Sequence, residues 1–355
     1  MNLRSRRLRW AMVPALAVGL FAVGAGGIAS ARVATKGLPA ATLNGSGSTF
    51  QKAFDEEAIV QFTAKNSNVK INYAAGGSGK GRQDFADQVV DFAGTDAPYP
   101  SADLAKVKGG EFDYIPTVVG PITVSFNLSG VKKLKLSGPT LSKIFQRQIK
   151  TWNDPAIAKE NPKVKLPSTA ITVARRADSS GTTQNFTTFL TKSDPSGWKL
   201  GASSTVTWPS DTQPGTGNSG VAQIVSSTDG AIGYVDFSDA KAAGLTYASI
   251  KNQLGNYIPP NLKGASEAAG TVAVNPDLTY DPIWATGKTS YPITSPTWIL
   301  AYTTQTDKAK GTDLKAFLTY ILTKGQVLAP SVDYAPLPPS LTTQALAAVK
   351  AIKVG

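Results

Sequence analysis

The chain has 355 residues, 41% hydrophobic and 17% charged, long enough for two ordinary domains and too apolar to be disordered. It contains no cysteine and no histidine, which excludes disulfides, a lipid-bearing cysteine, Ser-His-Asp and Cys-His catalysis, and the usual zinc sites. The formal charge is +12, but the basic residues are scattered, with short clusters such as VKKLKL and NPKVKL and no interleaved aromatics; this describes a solvated surface rather than a nucleic-acid stripe.

The N-terminus places Arg4, Arg6, Arg7 and Arg9 before an apolar run from Trp10 to Ile28, followed by Ala29-Ser30-Ala31. A basic region, an apolar region and a small-residue site describe a secretory signal peptide over 1–31, cleaved after Ala31. The run is nearly long enough to stay as a membrane anchor, but Pro14 and four glycines within it favour removal. Cleavage takes the 36 basic residues to 32 against 24 acidic ones, a net charge of +8. The expectation is a periplasmic or secreted protein without a lipid anchor.

A flexible lead over 32–40 precedes TLNGSGSTF, after which Phe54, Ala58 and Phe62 repeat at helical spacing. Ser48 and Gln51 stand in the S-x-x-Q relation of a capping box, so the helix is expected to start at Ser48 or its neighbour. VKINYA alternates Val69, Ile71 and Tyr73 as a strand does, AGGSGKGRQDFADQ is a glycine-rich turn into a helix, and VVDFAGTDAPYP is a buried strand ending at Thr95 and Asp96. In ITVARRADSSGTTQNFTTFLTK a strand to about Arg175 turns into a helix with Phe186, Phe189 and Leu190 on one face. GNSGVAQIVSSTDGAIGYVDF is a glycine-led helix feeding a strand, while 201–220 and 251–292 read as surface excursions. Alternating strands and helices give an α/β fold, whose ligands sit where strand ends meet helix starts.

Three such starts are rich in hydroxyls: Ser48-Thr49-Phe50, Gly77-Ser78-Gly79 and Ser179-Ser180-Gly181-Thr182. Helix N-termini carry unpaired N–H groups and the positive end of the dipole, so each start can cap itself or cradle an anion. GGSGKGR is not a P-loop, which needs glycine at 74 and Ser or Thr at 81 where this chain has Ala74 and Gly81. Arg176 offers a planar fork for two oxygens, which Asp178 could brace from behind; alternatively the two form a surface ion pair. A competing enzymatic reading makes Ser78 or Ser180 a nucleophile with Lys80 as its base, a Ser-Lys hydrolase.

Taken in order, LNGSGSTF, GGSGKGRQDF, VDFAGTDAPY, PTVVGPITVSFN, IKTWNDPAIAKENPKVKLPS, ARRADSSGTTQNF, GAIGYVDF and YPITSPTWIL resemble the phosphate-binding proteins of the bacterial high-affinity phosphate ABC transporter. The resemblance runs from about residue 41 to the C-terminus. It implies a type II periplasmic binding protein with two α/β lobes and a cleft between them, lobe 1 from 38–118 plus 293–355 and lobe 2 from 119–292. It implies phosphate contacts from Thr49, Phe50, Ser78, Asp96, Arg176, Ser180, Gly181 and Thr182, with Asp178 orienting the arginine. Ser78 stands alone where relatives often have two serines, Asp96 follows threonine in T-D-A-P where the family has S-D-A-P, and Ser179 replaces a common glycine. The partners implied are inorganic phosphate and the inner-membrane ABC permease, with no nucleic acid, cofactor or metal, and the protein is expected to be a monomeric, non-enzymatic carrier. The same fold could instead take another oxyanion or a phosphate ester, or serve as a secreted surface protein.

Overall fold

A computed structural model describes residues 37–355, so the signal-peptide reading lies outside the described residues, as does most of the lead. The central feature is a nine-stranded sheet built from β1 (Thr42–Gly47), β2 (Lys70–Ala74), β3 (Phe92–Thr95), β4 (Phe112–Phe126), β5 (Thr172–Arg176), β6 (Gln213–Gly215), β7 (Ala231–Asp236), β8 (Thr246–Tyr247) and β9 (Thr294–Tyr302). The order is β2-β1-β3-β9-β4-β7-β5-β6, with β8 paired to the end of β4.

The two ends of the sheet are parallel sets, β2-β1-β3 and β7-β5-β6. Parallel neighbours need crossover connections; α1 (Lys52–Thr63) and α2 (Ser78–Ala86) serve the first set, α3 (Gly181–Ser193) and α4 (Gly217–Ser227) the second. Between them run the long antiparallel strands β4 and β9. β9 is buried at all nine positions, and β4 from Tyr114 onward, the continuous burial of strands covered on both faces, although both include buried hydroxyls such as Thr123 and Thr297. β4 pairs with β9 up to Pro121 and with β7 from Ile122 onward.

The helices bury the faces that their spacing marks out: Phe54, Ala58 and Phe62 in α1, and Phe186, Phe189 and Leu190 in α3. After β9 the chain returns to the first end of the sheet through α5 (Lys308–Tyr320), where Phe317 packs 5.3 Å from Phe62 and 6.1 Å from Phe92 between ring centroids. Buried tyrosines carry polar ends that need partners. The Tyr334 hydroxyl lies within hydrogen-bond reach of Phe50 O and Asp236 Oδ2, and Tyr291 donates to Ile122 O at 2.8 Å.

Two local expectations are corrected. The first helix begins at Lys52 with Gln51 as its N-cap and no side-chain cap bond; Gln51 Nε2 donates forward to Asp55 at 2.7 Å instead of serving Ser48, so there is no capping box. The segment 251–292 is more than a surface excursion. It contains the helix Leu262–Gly270 and buries Leu278, Tyr280, Ile283 and Tyr291 against the core. Likewise 217–220 form the first turn of α4.

Candidate anion-binding site

The site forms where three strand ends deliver the chain to α1, α2 and α3. After β1, the Ser48 N–H donates to Gly94 O at 2.9 Å, which fixes the turn. The Ser48 hydroxyl accepts from the N–H groups of Phe50 (2.9 Å) and Gln51 (3.4 Å) and donates to Asp96 Oδ1 at 2.5 Å. Phe50 turns its ring into the core against Tyr334, 5.7 Å between centroids; its N–H is already taken by Ser48. Thr49 is half-buried, and its hydroxyl accepts from Asn218 Nδ2 at 3.1 Å.

The second turn rests on Gly77, whose φ of 95° suits only glycine and whose N–H donates to Gly47 O at 2.7 Å. It delivers Ser78 to the start of α2, where the hydroxyl donates to Asp96 Oδ2 at 3.1 Å and accepts from Asp96 N at 3.2 Å. Asp96 itself follows β3 and is only 1% exposed. Thr297 on β9 donates to its Oδ1 at 2.8 Å. Burial pushes the Asp96 carboxyl above its ordinary value, while the Ser48, Thr297 and Ser78 hydroxyls and the Arg176 charge pull it back without cancelling the shift.

The third turn carries the cation. Arg176 ends β5 and is buried, its N–H donating to the Tyr234 hydroxyl at 3.1 Å. Its guanidinium makes a two-pronged pair with Asp178, Nε to Oδ1 at 2.9 Å and an N–H of the fork to Oδ2, and Nη1 lies 3.4 Å from Thr182 Oγ1. Asp178 Oδ1 also accepts from Gly217 N at 3.0 Å. Burial would raise the Asp178 carboxyl, but the Arg176 hydrogen bonds and charge, with the Gly217 N–H, hold it below its ordinary value. Ser180 caps α3 by accepting from Thr183 N at 3.1 Å, leaving the earlier N–H groups of that helix without intrahelical partners.

The turns touch one another. Gly79 N donates to Ser179 O at 3.0 Å, and a side chain at Gly181 would strike Asp96 Oδ2 and Ser78 Oγ, each 2.6 Å from an added Cβ. Asn185 of α3 donates to Asp96 O at 2.9 Å and to Ser295 Oγ at 2.6 Å. Asn218 Nδ2 lies 3.1 Å from Thr49 Oγ1 and 3.2 Å from Thr182 Oγ1. All eight residues singled out in the sequence therefore fall in one neighbourhood with Asp178, Phe50 through its backbone alone. Chemically, one side offers a buried carboxylate able to accept a proton, the other a braced guanidinium, hydroxyls and helix N–H groups able to donate.

The structure adds residues that the sequence reading passed over as site members: Ser48 and Thr297 on the Asp96 carboxylate, Asn218 between the two threonines, and Arg82. Arg82 is buried and donates to Thr95 Oγ1 at 3.0 Å and Ala97 O at 3.2 Å, holding the segment around Asp96. Ser48 and Asn218 had a signal in hydroxyl-rich or glycine-led helix starts; Thr297 lay in the matching stretch YPITSPTWIL without one of its own. Lys80 pairs with Asp84 on its own helix and its side chain is 61% exposed, while the Ser78 hydroxyl faces Asp96, so this lysine is not placed as the base for that serine.

The chain is similar to known proteins over most of its length. A family model described as a PBP superfamily domain matches residues 32–324. The phosphate-binding protein PstS of Xylella fastidiosa is 33% identical over 308 residues, covering 85% of this chain and 83% of its own; that of Methanocaldococcus jannaschii is 36% identical over 335 residues, covering 87% and 85%. Among solved structures, a high affinity periplasmic phosphate-binding protein bound with phosphate superposes with a TM-score of 0.72 at 22% identity, over 86% of this chain and 93% of the other. With a family model spanning most of its length and relatives a third identical throughout it, the chain belongs to the PstS family of phosphate-binding proteins, within the PBP superfamily.

Proposed function

We propose that this protein is an extracytoplasmic solute-binding protein that captures inorganic phosphate between two closing lobes and delivers it to an ABC permease. The observation that carries the reading is Asp96, a buried carboxylate set among hydroxyls in the same neighbourhood as a braced guanidinium. A carboxylate beside an anion is repulsive unless the anion brings a proton. Near neutral pH phosphate keeps at least one O–H, and an ionised aspartate can only accept. Sulfate has no proton to give, so its oxygen would face Asp96 in a dry site, where an unpaired charge costs several kcal/mol.

In this reading lobe 1 comprises 38–118 and 293–355 and supplies Thr49, Phe50, Ser78 and Asp96. Lobe 2 comprises 119–292 and supplies Arg176, Ser180, Gly181 and Thr182. Supporting the division, β4 changes partner between Pro121 and Ile122 and β9 begins at Thr294. A ligand touching both walls favours the closed form by its extra contacts there, which gives a permease a shape to recognise. Supporting export, the N-terminal sequence has a signal-peptide pattern.

The test is calorimetric titration of protein stripped of bound anion with phosphate, sulfate, arsenate and glycerol phosphate. Saturable, one-to-one binding of phosphate with sulfate rejected is the expected result. No heat with phosphate, or equal affinity for sulfate, would remove the reading.

A further inference from the structure

We infer that Asn218 sets the hydrogen-bond polarity of the phosphate site, fixing the Thr49 and Thr182 hydroxyls as donors to the anion; this rests on the phosphate-binding reading above. Asn218 is fully buried in the first turn of α4. Its side-chain nitrogen lies 3.1 Å from Thr49 Oγ1 and 3.2 Å from Thr182 Oγ1, and its side-chain oxygen is buried with no hydrogen-bond partner among the described residues. The amide thus gives both of its donors to hydroxyls on either side of the cleft and leaves its acceptor unpaired.

A hydroxyl has one proton and two lone pairs. Once it accepts from an amide N–H, its proton is free for another acceptor, which an anion supplies. Were the amide turned over, its oxygen would sit between the two hydroxyls and take their protons, and an incoming anion would meet lone pairs. An unpaired buried carbonyl is costly, so the observed orientation gives up that bond to keep both threonine protons available. Arg176 reinforces the same polarity by donating toward Thr182. Asn218 is therefore a positioning residue, acting on phosphate through two threonines and holding the two walls in register.

Charged groups on the elements packed against α4 include Arg175 and Arg176 on β5, Asp236 at the end of β7, and Asp239 and Lys241 on the helix Phe237–Ala242; Asp178 joins them through the Gly217 N–H and Asp96 through the charge of Arg176. They are common to every variant below, so the ratio of an uncharged variant to the parent protein cancels their titration.

The experiment measures phosphate affinity by calorimetry for the parent protein, Asn218→Asp and Asn218→Ala across pH, with folding checked by circular dichroism. The Asn218→Asp variant places acceptors against both hydroxyls and is expected to bind phosphate at least about 100-fold more weakly at neutral pH, and Asn218→Ala about 10-fold more weakly. The deficit of Asn218→Asp relative to the parent should shrink as the pH falls and its carboxyl gains a proton to donate, while that of Asn218→Ala stays level; because repulsion between a carboxylate at 218 and the anion would give the same slope, the slope counts only together with the result for the neutral pair that follows. Asn218→Ser and Thr49→Val with their combination supply that neutral test, and they stand in for either buried variant that fails to fold. Their combined loss should then be at least about 5-fold smaller than the product of the single losses. Parent-like affinity in the folded Asn218 variants, pH-independent ratios for both, or losses that simply multiply would overturn the inference. Failure of the parent protein to bind phosphate would instead overturn the reading on which it rests.

Discussion

Two carboxylates stand in the same site and are biased in opposite directions. Asp96 is 1% exposed, receives hydroxyls on both oxygens and is pushed up by burial. Asp178 is gripped by the Arg176 fork and the Gly217 N–H and is pulled down. The first is surrounded by neutral donors that a ligand's own O–H can join or displace; the second is a counter-ion whose valences are spent on the arginine. In the proposed reading anion recognition divides its acidic groups by task, one to receive a proton and one to aim a cation.

The comparison breaks most severely if the cation is removed. Arg176→Ala leaves Asp178 unpaired and takes the guanidinium from the ligand, so phosphate binding should weaken by about 2–5 kcal/mol, read by calorimetry. A loss under about 0.5 kcal/mol would make the buried Arg176–Asp178 pair a structural element and not a ligand group; the surface ion pair that the sequence also allowed is excluded by its burial. Removing the brace alone should cost less: Asp178→Asn keeps one acceptor for the fork but loses the charge, and should weaken binding by about 1–3 kcal/mol.

The two carboxylates should also part company in stability. Asp178, held below its ordinary value, contributes stability that is present above the unfolded-state pKa and lost as the pH falls through the folded one. Asp96 has the opposite sign: with its value raised, unliganded protein loses stability as the pH climbs through the folded-state pKa. Asp178→Asn should therefore lower the melting temperature of ligand-free protein at neutral pH, and Asp96→Asn should raise it. In binding, Asp96→Asn should cut the preference for phosphate over sulfate by at least about 10-fold, because the repulsive carboxylate is gone. Equal rejection of sulfate by both proteins would place the filter elsewhere.

What the sequence made legible follows the range of the interaction involved. Hydroxyl-rich helix starts, the strand ending at Asp96 and the R-x-D pair are local patterns, and the structure gathers them into one neighbourhood. Ser48 shows where local reading stops. Its contacts to Phe50 and Gln51 N–H look like capping, yet its proton goes to Asp96, 48 residues away. Thr297 meets Asp96 across 201 residues and Asn218 meets Thr49 across 169; neither spacing leaves a periodic trace. The segment 251–292 misled because Gly, Pro, Ser and Asn signal turns without showing that Leu278, Tyr280 and Tyr291 between them reach the core. Long strands joining the two ends of the sheet were equally silent, since partner exchange along β4 is set by twist and packing rather than composition.

The smallest effect concerns the hydroxyls that oppose the upward push of burial on Asp96. Thr297 carries one of the hydroxyls that pull its carboxyl back down, and it does so from β9, which is paired to both β3 and β4. Thr297→Val keeps the shape of the side chain and deletes that donor, so the carboxyl should move further up. In the proposed reading phosphate capture needs the carboxylate form, so affinity in the variant should begin to fall at a higher pH on acidification than in the parent protein. At neutral pH the two should differ by no more than about 1 kcal/mol, the worth of one hydrogen bond. Calorimetric affinities for both proteins across the same acid range separate this from plain loss of packing, because a packing defect lowers affinity equally at every pH, whereas a lost donor displaces the pH profile. If the two profiles run parallel with no displacement, the Thr297 hydroxyl does not set the titration of Asp96 and the contact from β9 serves the strand rather than the site.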